Sequence, residues 1–341
     1  MSDPTNSSTT EPLNPQTEPD QVQLVPPRKF TVRSIFVGAE GLRAGWSLLI
    51  FLALMAALLK GVSVIGNLLH LVPKQSAGNG EIAPTFALVS ESIPFLATLF
   101  VTWIMSKIEK RPNSVYGLGG KRALPNFLAG LAWGVACLSL LVLLLWSTGN
   151  LVFDRRLLFG FSAIRYAAIW LLGFLMVALV EEYLTRGYLL FTLARGIAGI
   201  YSWLLKTPRA KALGFWTAAL LLSLGFGFGH RSNPGESPIG LLSAGLSGLV
   251  FCFSLWRTGS LWWAIGFHAT WDWAQSFLYG VADSGLMAQH HLLATHPAGK
   301  VLLSGGSTGP EGSIFVIPLL FLLCAIILFT LPRATYGDAT P

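Results

Sequence analysis

The chain has 341 residues, of which 53% are hydrophobic and only 11% charged, with 12 Trp, 22 Phe and a mean hydropathy of +0.60. This composition excludes an ordinary soluble domain, because several stretches exceed the roughly 18 apolar residues that mark a membrane-spanning helix. The formal charge of +7 calls for no nucleic-acid partner, since basic loops beside anionic membrane lipid account for it.

The chain opens on MSDPTNSSTTEPLNPQTEPDQVQLVPP. This stretch is rich in Pro, Ser, Thr, Asn and Gln and lacks a basic start leading into a short apolar run. It predicts a disordered tail over residues 1–40 rather than a signal peptide. An all-α transmembrane domain is expected over 41–332, with about eight spans at 45–71, 84–106, 125–148, 164–196, 212–230, 238–256, 260–280 and 312–331. A short tail, 333–341, follows. With the N-terminus inside, the cytoplasmic segments hold fifteen Lys and Arg and the outside loops six. The inside set includes Arg43, Lys107, Lys110, Arg122, Arg209 and Arg257; the outside set includes Lys74, Arg155, Arg165 and Lys300. Both termini are therefore expected to be cytoplasmic.

Cys137, Cys252 and Cys324 fall inside predicted spans, where a small apolar thiol is the ordinary reading. No internal repeat or inverted pair of halves is evident. The longest outside connection, 281–311, carries His290, His291 and His296. These could bind a metal, but a solvated Gly- and Ser-rich loop with incidental histidines is the better reading.

Three spans carry chemistry. ALVEEYLTRGYLLF, residues 178–191, sets two carboxylates and an arginine in apolar surroundings. Residues four apart share a helix face, so Glu182 meets Arg186, and Glu181 must be protonated or face a watery cavity. Burial moves a carboxyl toward neutrality, where a general base works best. The competing reading is that these charges only glue helices together. Next, LLSLGFGFGHRSNP places Phe226 and His230 four apart. Then LWWAIGFHATWDWAQSF does the same for His268 and Asp272. A single histidine in a span is often only a hydrogen-bonding core residue; acids and imidazoles on three helices are harder to dismiss.

EExxxR, FxxxH and HxxxD, in that order, resemble the motifs of the CPBP family, also called the Abi or CAAX protease family, which includes the type II CAAX prenyl endopeptidases. The resemblance covers roughly residues 100–280. It implies an intramembrane endopeptidase acting on a membrane-associated peptide or protein. Glu181 would be the base, His230 its partner and His268 a donor to the oxyanion, with Glu182, Arg186 and Phe226 in support. Asp272 departs from the asparagine form of the third motif, because an ionised aspartate repels an oxyanion. It must be protonated, orient His268 or bind a metal. No cofactor is certain, although Glu181, His230, His268 and Asp272 are donors that would suit Zn.

Taking Trp170, Trp216 and Trp262 as headgroup-belt markers puts Glu181, His230 and His268 at about 14, 21 and 9 Å from the inner side of the membrane core. The cavity is then expected to open toward the cytoplasm. Among rivals, GLSG at 245–248 spells a rhomboid-type serine motif with His268 downstream, but the bulky HATWDW lacks the glycines expected after it. HExxH is absent from the sequence, as is the aspartate of a presenilin-type GLGG site at 117–120. An inactive scaffold or immunity-type protein of the same fold, or a proton-coupled transporter, are the non-enzyme alternatives.

Overall fold

The computed structural model describes residues 31–38, 41–70 and 81–334. Most of the expected N-terminal tail and all but two residues of the C-terminal one lie outside them. Helices α1 (Ala44–Leu68), α2 (Pro84–Glu109) and α3 (Ala123–Ser147) are apolar runs of 25, 26 and 25 residues. At about 1.5 Å per residue each can cross a hydrocarbon core about 30 Å thick. Helix α4 (Gly160–Glu182) runs through a π-helical segment, Tyr183–Leu189, into α5 (Leu190–Leu205), 46 residues in all. Helices α6 (Ala210–Gly229) and α7 (Pro238–Thr258) follow. The start of α7 is fixed by Pro238 at its first position and by the Ser237 hydroxyl, which accepts from the Gly240 N–H at 3.0 Å.

The chain is an all-α integral membrane protein; among the described residues, six helical stretches are long and apolar enough to cross a membrane, beside a shorter apolar helix, α9 (Val316–Thr330). The count differs from the expected eight at 260–280. That stretch is α8 (Trp262–Trp273) with a π segment, Ala274–Leu278, and its Trp263, Ala264 and Ile265 are fully buried. Its apolar residues face protein rather than lipid. Gly130 and Gly134 of α3 and Gly266 of α8 make this possible, since a Cβ on any of them would collide with the backbone of the facing helix.

The end of the bundle where α2 and α5 finish is filled by a core that includes Tyr116, Tyr188, Leu261 and Ile265. Buried Glu109 accepts there from the Tyr116 and Tyr188 hydroxyls at 3.1 and 3.0 Å, with Arg195 at 3.8 Å. Arg43, Lys107, Lys110, Arg122, Arg209 and Arg257 all sit near this end.

The opposite end is closed differently. Strands β1 (Glu81–Ile82) and β2 (Leu151–Arg156) pair with β3 (Met287–Ala288) and β4 (Leu293–Pro297), the first pair parallel and the second antiparallel. The 281–311 segment is therefore a structured cap rather than a solvated loop. Its histidines are pins. His290 stacks on Tyr166, His291 Nδ1 lies 2.7 Å from the Ala288 carbonyl, and His296 Nδ1 lies 2.9 Å from Asp154.

Candidate active site

The two adjacent glutamates part company at the end of α4. Glu182 is fully buried; its Oε1 accepts from Arg186 Nη1 at 2.9 Å and lies 3.0 Å from His268 Nδ1. Glu181 is 31% exposed and lines a cavity of about 600 Å³. The π segment begins at Tyr183, two residues later, and such widened turns recur at functional sites. A second one starts two residues after Asp272.

Arg186 is enclosed. Its guanidinium lies 4.2 Å from the Phe226 ring, and the bare face of Gly248 admits it. A Cβ at Gly248 would stand 2.7 Å from Arg186 Nη2 and 2.9 Å from Ser223 Oγ. The Phe226 ring in turn meets the His230 ring edge-on at 4.7 Å. Glu182, Arg186, Phe226 and His230 thus form one contact chain from α4 to the end of α6, with a cation over an aromatic face in its middle.

His268 stands among three carboxylates. With Nδ1 on Glu182, its Nε2 lies 3.4 Å from Asp272 Oδ2 and 3.7 Å from Glu181 Oε2. A hydrogen must sit on Nε2 or on a facing oxygen, since a bare nitrogen between two bare carboxylates has no donor. The structure brings Glu181, Glu182, His268 and Asp272 into one cluster. His230 lines the same cavity but forms no ion pair among the described residues; its Nδ1 lies 2.8 Å from the Phe226 carbonyl, which turns Nε2 to the cavity.

The donors expected to suit zinc do not fit it. Among the described residues no three His, Cys, Asp or Glu side chains are grouped to hold a metal ion. His268 spends Nδ1 on Glu182, and His230 makes no ion pair with the carboxylate cluster among the described residues.

The cavity has walls that the motifs do not announce. Glu91 of α2 and Asp283, Ser284 and Glu311 of the cap line it. Glu311 accepts from the Ser284 backbone N–H and from its hydroxyl, and Asp283 accepts from Ser276 at 3.2 Å. Burial holds the Asp283 carboxyl well above the ordinary range, helped by Asp272 and Glu311, and burial also raises Glu311. Glu91 carried a signal, being a carboxylate inside an apolar run. Asp283 and Glu311 carried none, because nothing periodic places a loop residue.

Ser247 of GLSG lines the cavity too. Five of the six Ser and Thr hydroxyls there donate to protein acceptors, and Ser247 alone makes no hydrogen bond among the described residues. Both nitrogens of His268 face carboxylates, so it does not serve Ser247 as a base.

The depth markers need correction. Trp170 is 2% exposed, and its Nε1 donates to the Gln289 carbonyl at 2.8 Å beneath the cap. It marks no headgroup belt. The cavity lies in the half of the bundle next to the cap, away from the basic helix ends toward which it is expected to open.

No curated protein and no solved structure matches the chain. Residues 163–274, from the start of α4 to the beginning of the second π segment, match the family model described as type II CAAX prenyl endopeptidase Rce1-like. All three motifs lie within the match, while α1 to α3, the cap and α9 lie outside it. Over residues 163–274, about a third of the chain, the protein is similar to the type II CAAX prenyl endopeptidases.

Proposed function

We propose that the protein is an intramembrane endopeptidase that hydrolyses a peptide bond of a membrane-associated substrate with a water activated by Glu181. One observation carries the reading. Of two adjacent glutamates, one is sealed in an ion pair and the other faces a cavity shared with two imidazoles. The likeness of residues 163–274 to a protease family supports it. Glu181 takes a proton from water as the oxygen attacks the carbonyl carbon. His230 Nε2 orients that water, and the Nε2 hydrogen of His268 meets the developing oxyanion. Glu181 then passes the proton to the leaving amine as the C–N bond breaks. Glu182 and Arg186 are positioning residues, holding His268 from behind. Asp272, one turn beyond His268, steadies the Nε2 hydrogen. No step is routed through a metal.

Cleavage of a quenched-fluorescent peptide library by the purified full chain tests the proposal. Turnover that Glu181→Gln abolishes is expected, and turnover that Glu181→Gln leaves intact would refute it.

A further inference from the structure

The position and charge of the cavity bear on what reaches it. It is walled by the first turns of α2, the second half of α4 with the start of its π segment, the last turn of α6, the first half of α7, the second half of α8, the first half of α9 and the cap. Nothing from the opposite end lines it, because the aromatic core around Tyr116 and Tyr188 fills that end. The basic residues gather at the filled end, and in membrane proteins such loops stay in the cytoplasm. The cap end then faces the other side.

The lining chemistry is lopsided. Glu91, Glu181, Asp272, Asp283 and Glu311 border the cavity, and among the described residues no Lys or Arg does. Arg186 is 3% exposed and spent on Glu182 and Phe226. A free terminal carboxylate entering this space meets, among the described residues, no Lys or Arg but only the imidazoles of His230 and His268, whereas a lysine or arginine side chain meets several carboxyl acceptors. Phe86, Trp170, Phe174 and Leu320 supply apolar wall beside these groups, as a segment close to a membrane anchor requires.

We infer that the cavity is entered from the side opposite the basic loops and takes an internal, neutral or cationic stretch of a membrane-anchored polypeptide exposed on the extracytoplasmic face. The peptide-cleaving part of this rests on the function proposed above; the sidedness does not. A carboxy-terminal tail in the cytoplasm is the wrong substrate on two counts, its location and its terminal charge.

Two measurements decide. In a full chain with its three cysteines changed to alanine, Ala244→Cys on the cavity wall is treated with a membrane-impermeant maleimide in right-side-out and inside-out vesicles. Modification at least about tenfold faster from the right-side-out face is expected. Equal rates, a reversed preference or no modification from either face would overturn the sidedness. The wild-type chain in right-side-out vesicles is then given amidated peptides carrying Lys or Arg and matched peptides carrying Glu and a free carboxylate. Faster Glu181-dependent cleavage of the basic set, by about tenfold, is expected, and preference for the acidic set would overturn the charge assignment. Outer-face modification with no Glu181-dependent cleavage in vesicles or detergent would refute the proteolytic reading and leave the sidedness standing.

Discussion

Replacing each glutamate of the EE pair by glutamine separates two roles that adjacent positions in the chain would otherwise merge. Glu182 has no exposed surface and one oxygen that receives both Arg186 and His268, at 2.9 and 3.0 Å. An amide keeps one acceptor but cancels the charge, leaving the buried Arg186 guanidinium, itself 3% exposed, without its counter-ion. Breaking such a buried pair costs about 3–5 kcal/mol. At roughly 2 °C or more per kcal/mol for a chain of this size, the melting temperature of Glu182→Gln should fall by on the order of 6–10 °C. Glu181, 31% exposed and lining the cavity, has no comparable partner to lose. Its glutamine variant should melt within about 0.5 kcal/mol of wild type, yet lose about 10²–10⁴ in turnover with the general base gone. Thermal melts of purified protein beside peptide cleavage read both quantities. A Glu182→Gln variant that melts like wild type, or a fully active Glu181→Gln, would refute this division of labour.

Asp272→Asn should preserve turnover, because the amide oxygen can accept the His268 Nε2 hydrogen as the carboxyl oxygen does; a chelator should change neither protein's rate, and a chelator-sensitive wild type would count against the metal-free reading. Ser247→Ala should retain cleavage within about tenfold of wild type, whereas a serine mechanism would make the alanine variant inactive. Gly248→Ala should lower stability by about 1–3 kcal/mol, measured by melting, because its methyl enters the space of Arg186 and Ser223. Asp283 and Glu311 are held above their ordinary ranges, so the folded protein keeps protons that the unfolded chain has already released. Stability should therefore fall as pH rises from the ordinary carboxylate range through their raised values, and Asp283→Asn should make that fall shallower in melts taken at successive pH values.

The three motifs could be read from sequence because each is a four-residue spacing on a helix, and a helix sets which residues share a face whatever surrounds it. Glu182 with Arg186, Phe226 with His230 and His268 with Asp272 are local pairs of this kind. The contact between His268 and Glu182 joins residues 86 apart, and no periodicity announces it. Hydropathy found the long helices but took α8 for a lipid-facing span, since burial against protein and burial in lipid select the same residues. Trp170 misled for a related reason. A tryptophan whose N–H finds a buried carbonyl looks in sequence like one that finds headgroups. Asp283 and Glu311 reach the cavity from the cap, where Glu311 holds Ser284 across 27 residues of chain, which composition alone does not encode.

The π segment at Tyr183–Leu189 has a consequence for how this site arises and is lost. Such a turn is a helix holding one residue more than regular winding allows. Removing one residue from this segment lets the helix close regularly while α5 beyond it keeps its face, so the change falls on the turn that carries Arg186 and the surrounding bundle stands. The widened turn can thus be gained or lost through a single codon, and relatives should be sorted by its presence before activity is ascribed to them.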